Sequence, residues 1–79
     1  MEDLELFYAS WCPYCQKVLR FAEGHGIQLL LADTDAKANK DRLVQMGGKG
    51  QVPALRIGDQ VMYESDDIIE YIAQHFGVA

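Results

Sequence analysis

The chain has 79 residues, of which 49% are hydrophobic, and its net charge is −5. This length suits a single domain spanning residues 1–79, and the composition suffices for one hydrophobic core. The negative charge argues against nucleic acid and anionic membranes as partners, since both require a basic face. No apolar run reaches the roughly 18 residues of a membrane-spanning helix, and the acidic N-terminus lacks signal-peptide features. We therefore expect a cytoplasmic monomer.

The first predicted unit is a strand, a helix and a second strand. The apolar run Asp3–Tyr8 predicts the first strand. A helix is predicted over Pro13–Glu23, because proline suits a first turn and apolar side chains then recur at helical spacing. Gly24 or Gly26 ends it, and Ile27–Ala32 predicts a strand parallel to the first, joined by a right-handed crossover.

The second half of the sequence predicts a helix, a hairpin and a final helix. The expected elements are helix Ala36–Met46, strand Ala54–Ile57, a type II′ turn at Gly58-Asp59, strand Gln60–Tyr63, and a helix capped by Ser65 and ended by Gly77. The order β-α-β-α-β-β-α indicates an α/β, thioredoxin-like three-layer sandwich. Its four-stranded mixed sheet is expected to have the strand order 2-1-3-4.

The two cysteines of the chain form a Cys-x-x-Cys pair, Cys12-Pro13-Tyr14-Cys15, at a predicted strand-to-helix junction. The outer thiol, Cys12, then faces the positive end of the helix dipole, which favours its thiolate. The inner thiol, Cys15, lies within reach of a disulfide with it. This arrangement suits the breaking of a disulfide and the later release of the product. No metal is expected, because a structural zinc site needs four ligands and only His25 and His75 remain beside carboxylates.

Three motifs, in order, make the chain resemble a glutaredoxin over essentially its whole length. They are Cys12-Pro13-Tyr14-Cys15, Val52-Pro53 before the third strand, and Ser65-Asp66-Asp67 at the last helix. The resemblance implies a thiol–disulfide oxidoreductase with Cys12 as nucleophile and Cys15 as resolving thiol. It also implies a cis peptide bond before Pro53, glutathione as co-substrate, and disulfide-containing proteins as partners.

The resemblance further implies which residues bind glutathione. Ser65, with the N–H groups that open the last helix, is expected to bind the γ-glutamyl carboxylate, and Asp66 the α-ammonium. The backbone of Val52, turned outward by Pro53, pairs with the cysteinyl part of the ligand. Tyr14 forms one wall of the groove.

Three departures from the glutaredoxin pattern bear on glutathione binding. Ala9 stands where the family usually carries a lysine for the glycyl carboxylate, so Lys49, Lys17 or a basic residue of the second helix is expected to replace it. Tyr63-Glu64 stands where the family often carries Gly-Gly before the last helix, and Glu64-Ser65 instead resembles the N-terminal domain of glutathione transferases. Trp11, directly before the first cysteine, is a feature that resembles thioredoxins more than glutaredoxins.

Two other functions remain open from the sequence. Ala9 and Trp11 are compatible with a thioredoxin-like reductant that a flavoprotein reductase recycles. A glutathione-bridged [2Fe–2S] carrier is the other alternative, although Pro13 is unfavourable for it in the family.

Overall fold

The computed structural model describes residues 4–78. Its elements are β1 (Leu4–Tyr8), α1 (Pro13–Gly24), β2 (Leu30–Asp33), α2 (Lys37–Gly47), β3 (Ala54–Ile57), β4 (Gln60–Tyr63) and α3 (Ser65–His75). The predicted order of strands and helices is therefore confirmed. Within the described residues, no helix is long and apolar enough to cross a bilayer.

The sheet has the predicted strand order β2-β1-β3-β4. β1 lies parallel to β2 and antiparallel to β3, so that Leu6 pairs with Leu31 on one side and with Leu55 on the other. β4 is antiparallel to β3. Gly58 has φ +61° at the hairpin between them, as a type II′ turn requires at its first central residue. Because β1 is central, the chain that leaves its carboxyl end emerges in the middle of the sheet edge.

Helices cover both faces of this sheet and make two hydrophobic clusters. On one face, α1 and α3 pack against the sheet through Val18, Ile68 and Ile72, which are fully buried. On the other face, α2 packs through Leu43 against Phe7 and small neighbouring residues. The alternation of side chains along β1 explains both contacts, since successive residues point to opposite faces. The result is the predicted three-layer α/β sandwich.

The second strand begins later than the sequence predicted. The prediction was Ile27–Ala32, whereas β2 spans Leu30–Asp33. The Ile27 N–H donates to the Ala22 carbonyl at 2.8 Å, so this residue still closes the end of α1. Pairing with β1 starts only where Glu5 meets Leu30. Asp3, predicted as the start of the first strand, lies outside the described residues.

The last helix is not capped by Ser65 as predicted. Ile68 N–H donates to the Glu64 carbonyl at 3.0 Å, which makes Glu64 the N-cap residue and Ser65 the first residue of α3. The Glu64 side chain makes no capping hydrogen bond. Ser65 is instead buried beneath the start of the helix. Gly77, with φ +69°, ends the helical region as predicted.

A partly buried ion network fastens α2 to the sheet. Arg42 donates two hydrogen bonds to the Glu5 carboxylate, at 2.7 and 2.8 Å, and Arg56 Nε donates a third at 2.8 Å. The hydrogen bonds from Arg42 lower the pKa of Glu5 from 4.5 to about 2, against the effect of burial and with further help from Arg56. The Glu5 carboxylate therefore stays ionised and bound to both arginines across the neutral pH range.

Candidate active site

The two cysteines lie where the chain passes from β1 into α1. Cys12 is the N-cap residue of α1, and its sulfur accepts a hydrogen bond from the Cys15 backbone N–H at 3.3 Å. Pro13 occupies the first helical position, where its missing N–H leaves no bond unmade. The Cys12 sulfur therefore sits at the positive end of a 12-residue helix, as the sequence predicted. Both cysteines are free thiols in this structure.

Cys15 is the inner of the two thiols and behaves differently from an ordinary cysteine. It is fully buried, whereas 4% of Cys12 is exposed. Burial, assisted by the hydrogen bond to Cys12, raises the pKa of Cys15 from 9.0 to about 12, and a backbone hydrogen bond from Ala9 opposes this only in part. Cys15 therefore remains a protonated thiol at neutral pH.

The segment before β3 approaches the cysteines from across the sheet edge. The peptide bond between Val52 and Pro53 is cis, as the resemblance implied. The Cys12 thiol donates to the Val52 carbonyl, with 3.7 Å between sulfur and oxygen. Ala9 and Val52 pack around the two cysteines. The nucleophile predicted from the sequence thus lies directly beside the backbone predicted to bind the cysteinyl part of a ligand.

A first groove opens on one side of Val52. Its volume is about 470 Å³, and it runs from the cysteine loop to the start of α3. The residues that line it are Tyr14, Gln51, Val52, Pro53, Glu64, Ser65 and Asp66. Five of these residues were predicted as glutathione-binding from the sequence, and the structure brings them together. Gln51 and Glu64 are the lining residues that the prediction missed.

Glu64 adopts an uncommon backbone conformation at the floor of this groove. Its φ is +77° and its ψ is 119°, a combination that L-residues rarely adopt. Such a residue usually costs of order 1–3 kcal/mol and occurs most often at ligand sites. The Gln51 amide donates to the Glu64 carboxylate at 3.4 Å, which connects the two sides of the groove.

A second groove opens on the other side of Val52. It also has a volume of about 470 Å³ and is lined by Trp11, Thr34, Asp35, Lys40, Gly50, Gln51 and Val52. Trp11 is 72% exposed and Tyr14 is 65% exposed, so an aromatic ring borders the site on each side. Lys40 lies along α2 with its alkyl chain over Gly50, where an added Cβ would lie 3.2 Å from Lys40 Cε. Lys40 is thus the helix-two cation at this site.

The two lysines named by the sequence analysis lie in different surroundings. Lys17 forms an ion pair with Asp66, with 2.6 Å between Nζ and Oδ1. Lys49 lies over the Tyr63 ring, 4.9 Å from its centre, and the Tyr63 hydroxyl donates to the Lys49 carbonyl at 2.9 Å. Neither lysine lines either groove. Ala9 is fully buried beneath the cysteines, so this position does not face the ligand site.

Among residues 4–78, no three His, Cys, Asp or Glu side chains gather closely enough to hold a metal ion. The sequence predicted only that a basic residue of the second helix could replace the usual lysine. The spacing between Cys12 and Lys40 along the chain does not indicate which residue that is. The exposure of Trp11 follows from its place in a tight loop between β1 and α1.

Comparison with curated proteins identifies a redox protein as a relative. Mycoredoxin 1 from Corynebacterium glutamicum is 29% identical over 59 residues, which cover 75% of each chain. Its similarity supports a glutaredoxin-like thiol oxidoreductase. The similarity extends over most of both proteins.

Comparison with solved structures finds the same fold in a glutathione transferase and in a glutaredoxin. A human theta-class glutathione transferase, solved with the glutathione conjugate of 1-menaphthyl sulfate, superposes with a TM-score of 0.85 and 28% identity. It matches 98% of this chain, which spans about a third (33%) of the transferase. Glutaredoxin C1 from Populus tremula x tremuloides gives a TM-score of 0.69 at 21% identity, covering 90% of this chain and 74% of that protein, and so shares the fold.

The family assignment rests on a match over nearly the whole chain. Residues 6–78 match the family model of the glutathione S-transferase N-terminal domain. That span contains both cysteines, the cis proline and the Glu64-Ser65 pair that the sequence analysis had likened to transferases. The chain therefore belongs to the glutathione S-transferase N-terminal domain family, with a glutaredoxin-like dithiol at its candidate active site.

Proposed function

We propose that this protein is a glutathione-dependent thiol–disulfide oxidoreductase that reduces glutathione mixed disulfides and protein disulfides. The observation that carries the proposal is the position of Cys12. Its sulfur lies 3.7 Å from the carbonyl of Val52, a residue that lines both grooves, and the protonated thiol of Cys15 lies beside it. A linear disulfide substrate laid along the two grooves would present a sulfur to Cys12.

The first groove suits the γ-glutamyl end of glutathione. The opening N–H groups of α3 and the Ser65 hydroxyl would bind the α-carboxylate, and Asp66 would bind the α-ammonium. The Val52 backbone would pair with the cysteinyl residue, held in position by Pro53. Tyr14 would cover the ligand from the side of the cysteine loop.

The second groove suits the glycyl end. We assign the glycyl carboxylate to Lys40, which lines this groove, because Ala9 is buried and Lys49 is held over the Tyr63 ring. A lysine at this position provides a point charge without fixed geometry, which a flexible carboxylate terminus can accept. This assignment places the replacement for the usual glutaredoxin lysine on α2.

The chemistry follows from the two thiols. The Cys12 thiolate attacks the glutathione sulfur of a mixed disulfide; the new bond joins Cys12 to glutathione, and the substrate leaves as a thiolate that takes up a proton. A second glutathione thiolate then attacks the glutathione sulfur, which releases oxidised glutathione and restores Cys12. With a protein disulfide, Cys12 attacks one sulfur of the substrate; the substrate S–S bond breaks, and its other sulfur leaves as a thiolate that takes up a proton. Cys15 then loses its proton and attacks Cys12, which forms the Cys12–Cys15 disulfide and releases the second substrate thiol. Two glutathione molecules reduce this disulfide in turn and leave as oxidised glutathione.

The proposal is tested by comparing two cysteine variants. Reduction of a glutathionylated peptide is followed with glutathione, glutathione reductase and NADPH. Cys12→Ser should abolish turnover, while Cys15→Ser should retain it, since a second glutathione can resolve the intermediate. The opposite result would assign the nucleophile to Cys15 and reject the mechanism. A chain that turns over only with a thioredoxin reductase would be a thioredoxin-like reductant.

The assignment of Lys40 has its own matched pair of variants. Lys40→Gln should raise KM for the glutathionylated peptide about 3- to 10-fold, the usual effect of removing one charge-assisted contact. Lys49→Gln removes the same charge from a neighbouring part of the surface and should change KM little. Equal effects of the two variants would mean that only the overall charge matters.

A further inference from the structure

The Asp66 carboxylate, proposed above as the site for the ammonium of the ligand, already holds a cation. Lys17 Nζ lies 2.6 Å from Asp66 Oδ1. This ion pair joins the second turn of α1 to the start of α3. The two residues are 49 positions apart in the sequence, so packing of the two helices creates the pair. An incoming α-ammonium would meet an Asp66 carboxylate whose negative charge this lysine already offsets.

The other charges around the first groove do not change this conclusion. Its lining residues carry two carboxylates, those of Glu64 and Asp66, and no cationic side chain. Glu64 is contacted by the neutral amide of Gln51 at 3.4 Å. Among residues 4–78, Lys17 is the cation that pairs with a residue lining this groove, although it does not line the groove itself.

We propose that Lys17 acts as a built-in competitor for the ligand ammonium, and so sets how strongly the site prefers γ-glutamyl thiols to thiols that lack an ammonium group. The inference rests on the proposed function, since it concerns the same groove. Its physical basis is the competition of two ammonium groups for the negative charge of a single carboxylate. The side chains of Lys17 and Asp66 are 53% and 81% exposed, so the pair is easily opened and its competition is modest.

The effect expected from the loss of Lys17 differs between two ligands. Without Lys17, Asp66 is free for the ligand, so affinity for a γ-glutamyl ligand should rise about two- to fivefold, the range of an exposed ion pair. A ligand with the same carboxylates but no ammonium gains nothing from a free Asp66. It should bind with unchanged or lower affinity, because a positive charge has been lost near its carboxylate. The ratio of the two affinities is therefore the measured quantity.

The test uses S-methylglutathione and its desamino analogue, which cannot undergo thiol exchange. Dissociation constants are measured by NMR titration of the full chain at pH 7. In Lys17→Gln, the preference for S-methylglutathione over the analogue should increase two- to fivefold over wild type. Arg20→Gln is the matched control, because it removes an equal charge from an exposed position one turn further along α1. It should leave the preference unchanged.

A second variant shows whether the effect passes through Asp66. In an Asp66→Asn background the preference should be small, and adding Lys17→Gln should no longer raise it. An unchanged or reduced preference in Lys17→Gln alone would overturn the inference; a reduced one would mean that Lys17 binds the ligand. If wild type reduces a glutathionylated peptide but the preference does not respond, the inference fails and the proposed function stands. If wild type neither binds S-methylglutathione nor reduces that peptide, both fail.

Discussion

The buried thiol of Cys15 gives the sharpest prediction, namely that Cys15 resists alkylation in the folded protein. Its pKa is raised from 9.0 to about 12, first by burial and then by the hydrogen bond to Cys12. Each pKa unit changes the thiolate fraction tenfold, so at pH 8 the thiolate fraction of Cys15 is about a thousandfold below that of an ordinary cysteine. Since the thiolate is the reacting species but a more basic thiolate is the stronger nucleophile, the alkylation rate should fall by a smaller factor, roughly 30- to 60-fold.

The assay is a time course with iodoacetamide followed by peptide mapping in a mass spectrometer. At pH 8, one carboxamidomethyl group per chain should appear on Cys12 while Cys15 stays unmodified. Unfolding in guanidinium chloride should make both cysteines react at similar rates. The variant Cys12→Ala isolates the inner thiol, whose rate should rise because the hydrogen bond to Cys12 is lost. It should remain below that of an unstructured peptide, because burial is the larger cause.

The pH profile separates titration from poor access. If Cys15 is slow because it is protonated, its rate in the folded protein should continue to climb tenfold per pH unit above pH 9, with no plateau there. If access alone limited the rate, the profile would level off near the ordinary cysteine pKa at a low value. A plateau near pH 9, or alkylation of Cys15 as fast as a peptide thiol, would refute the reasoning.

Three further predictions concern stability, each measured by urea unfolding followed by circular dichroism. Glu5→Gln should lower the free energy of unfolding by about 3 kcal/mol at pH 7, since the folded pKa is depressed; the loss relative to wild type should fade as pH drops from 4.5 towards about 2, and a constant loss would contradict the assignment. Gly47→Ala should lower the free energy of unfolding by about 1–3 kcal/mol although alanine favours helices, because its Cβ would clash with the Tyr63 hydroxyl and lie 3.0 Å from Tyr63 Cζ. Adding Tyr63→Phe removes that hydroxyl and should recover part of the loss. Glu64→Gly should stabilise by about 1 kcal/mol by removing a strained φ, whereas Glu64→Ala should not.

Much of the fold could be predicted because its signals are local. The strand order follows from a β-α-β unit extended by a hairpin, and the turn residues Gly58-Asp59 mark that hairpin. Pro13 fixes the start of α1, so the place of Cys12 at the helix N-terminus could also be read from the sequence. The start of β2 could not, because it depends on where β1 offers a partner. Periodicity in an apolar run such as Ile27–Ala32 does not contain that information.

The predicted site residues fall into two groups for a similar reason. Those attached to a backbone signal, such as Cys12, Pro53 and Ser65, come together as expected, because the fold fixes their positions. The lysines were interchangeable in the sequence, since a long flexible side chain can reach several places. Only the packing of α1 against α3 reveals that Lys17 meets Asp66. Likewise, Glu64 gives no hint of its positive φ, which glycine or asparagine would have suggested.

The charges on either side of Val52 give the site a direction. Asp66 and the opening of α3 lie in the first groove, and Lys40 lies in the second, so a ligand with an ammonium at one end and a carboxylate at the other has one favourable orientation. Under the proposed function, glutathione would take this orientation, and its sulfur would then lie near the Val52 carbonyl and Cys12. Asp35 in the second groove and Lys17 beside the first each oppose the charge of their own groove. Both residues therefore weaken the preference for one ligand orientation. Replacing either residue should change which thiols the two cysteines accept, without changing the cysteines themselves.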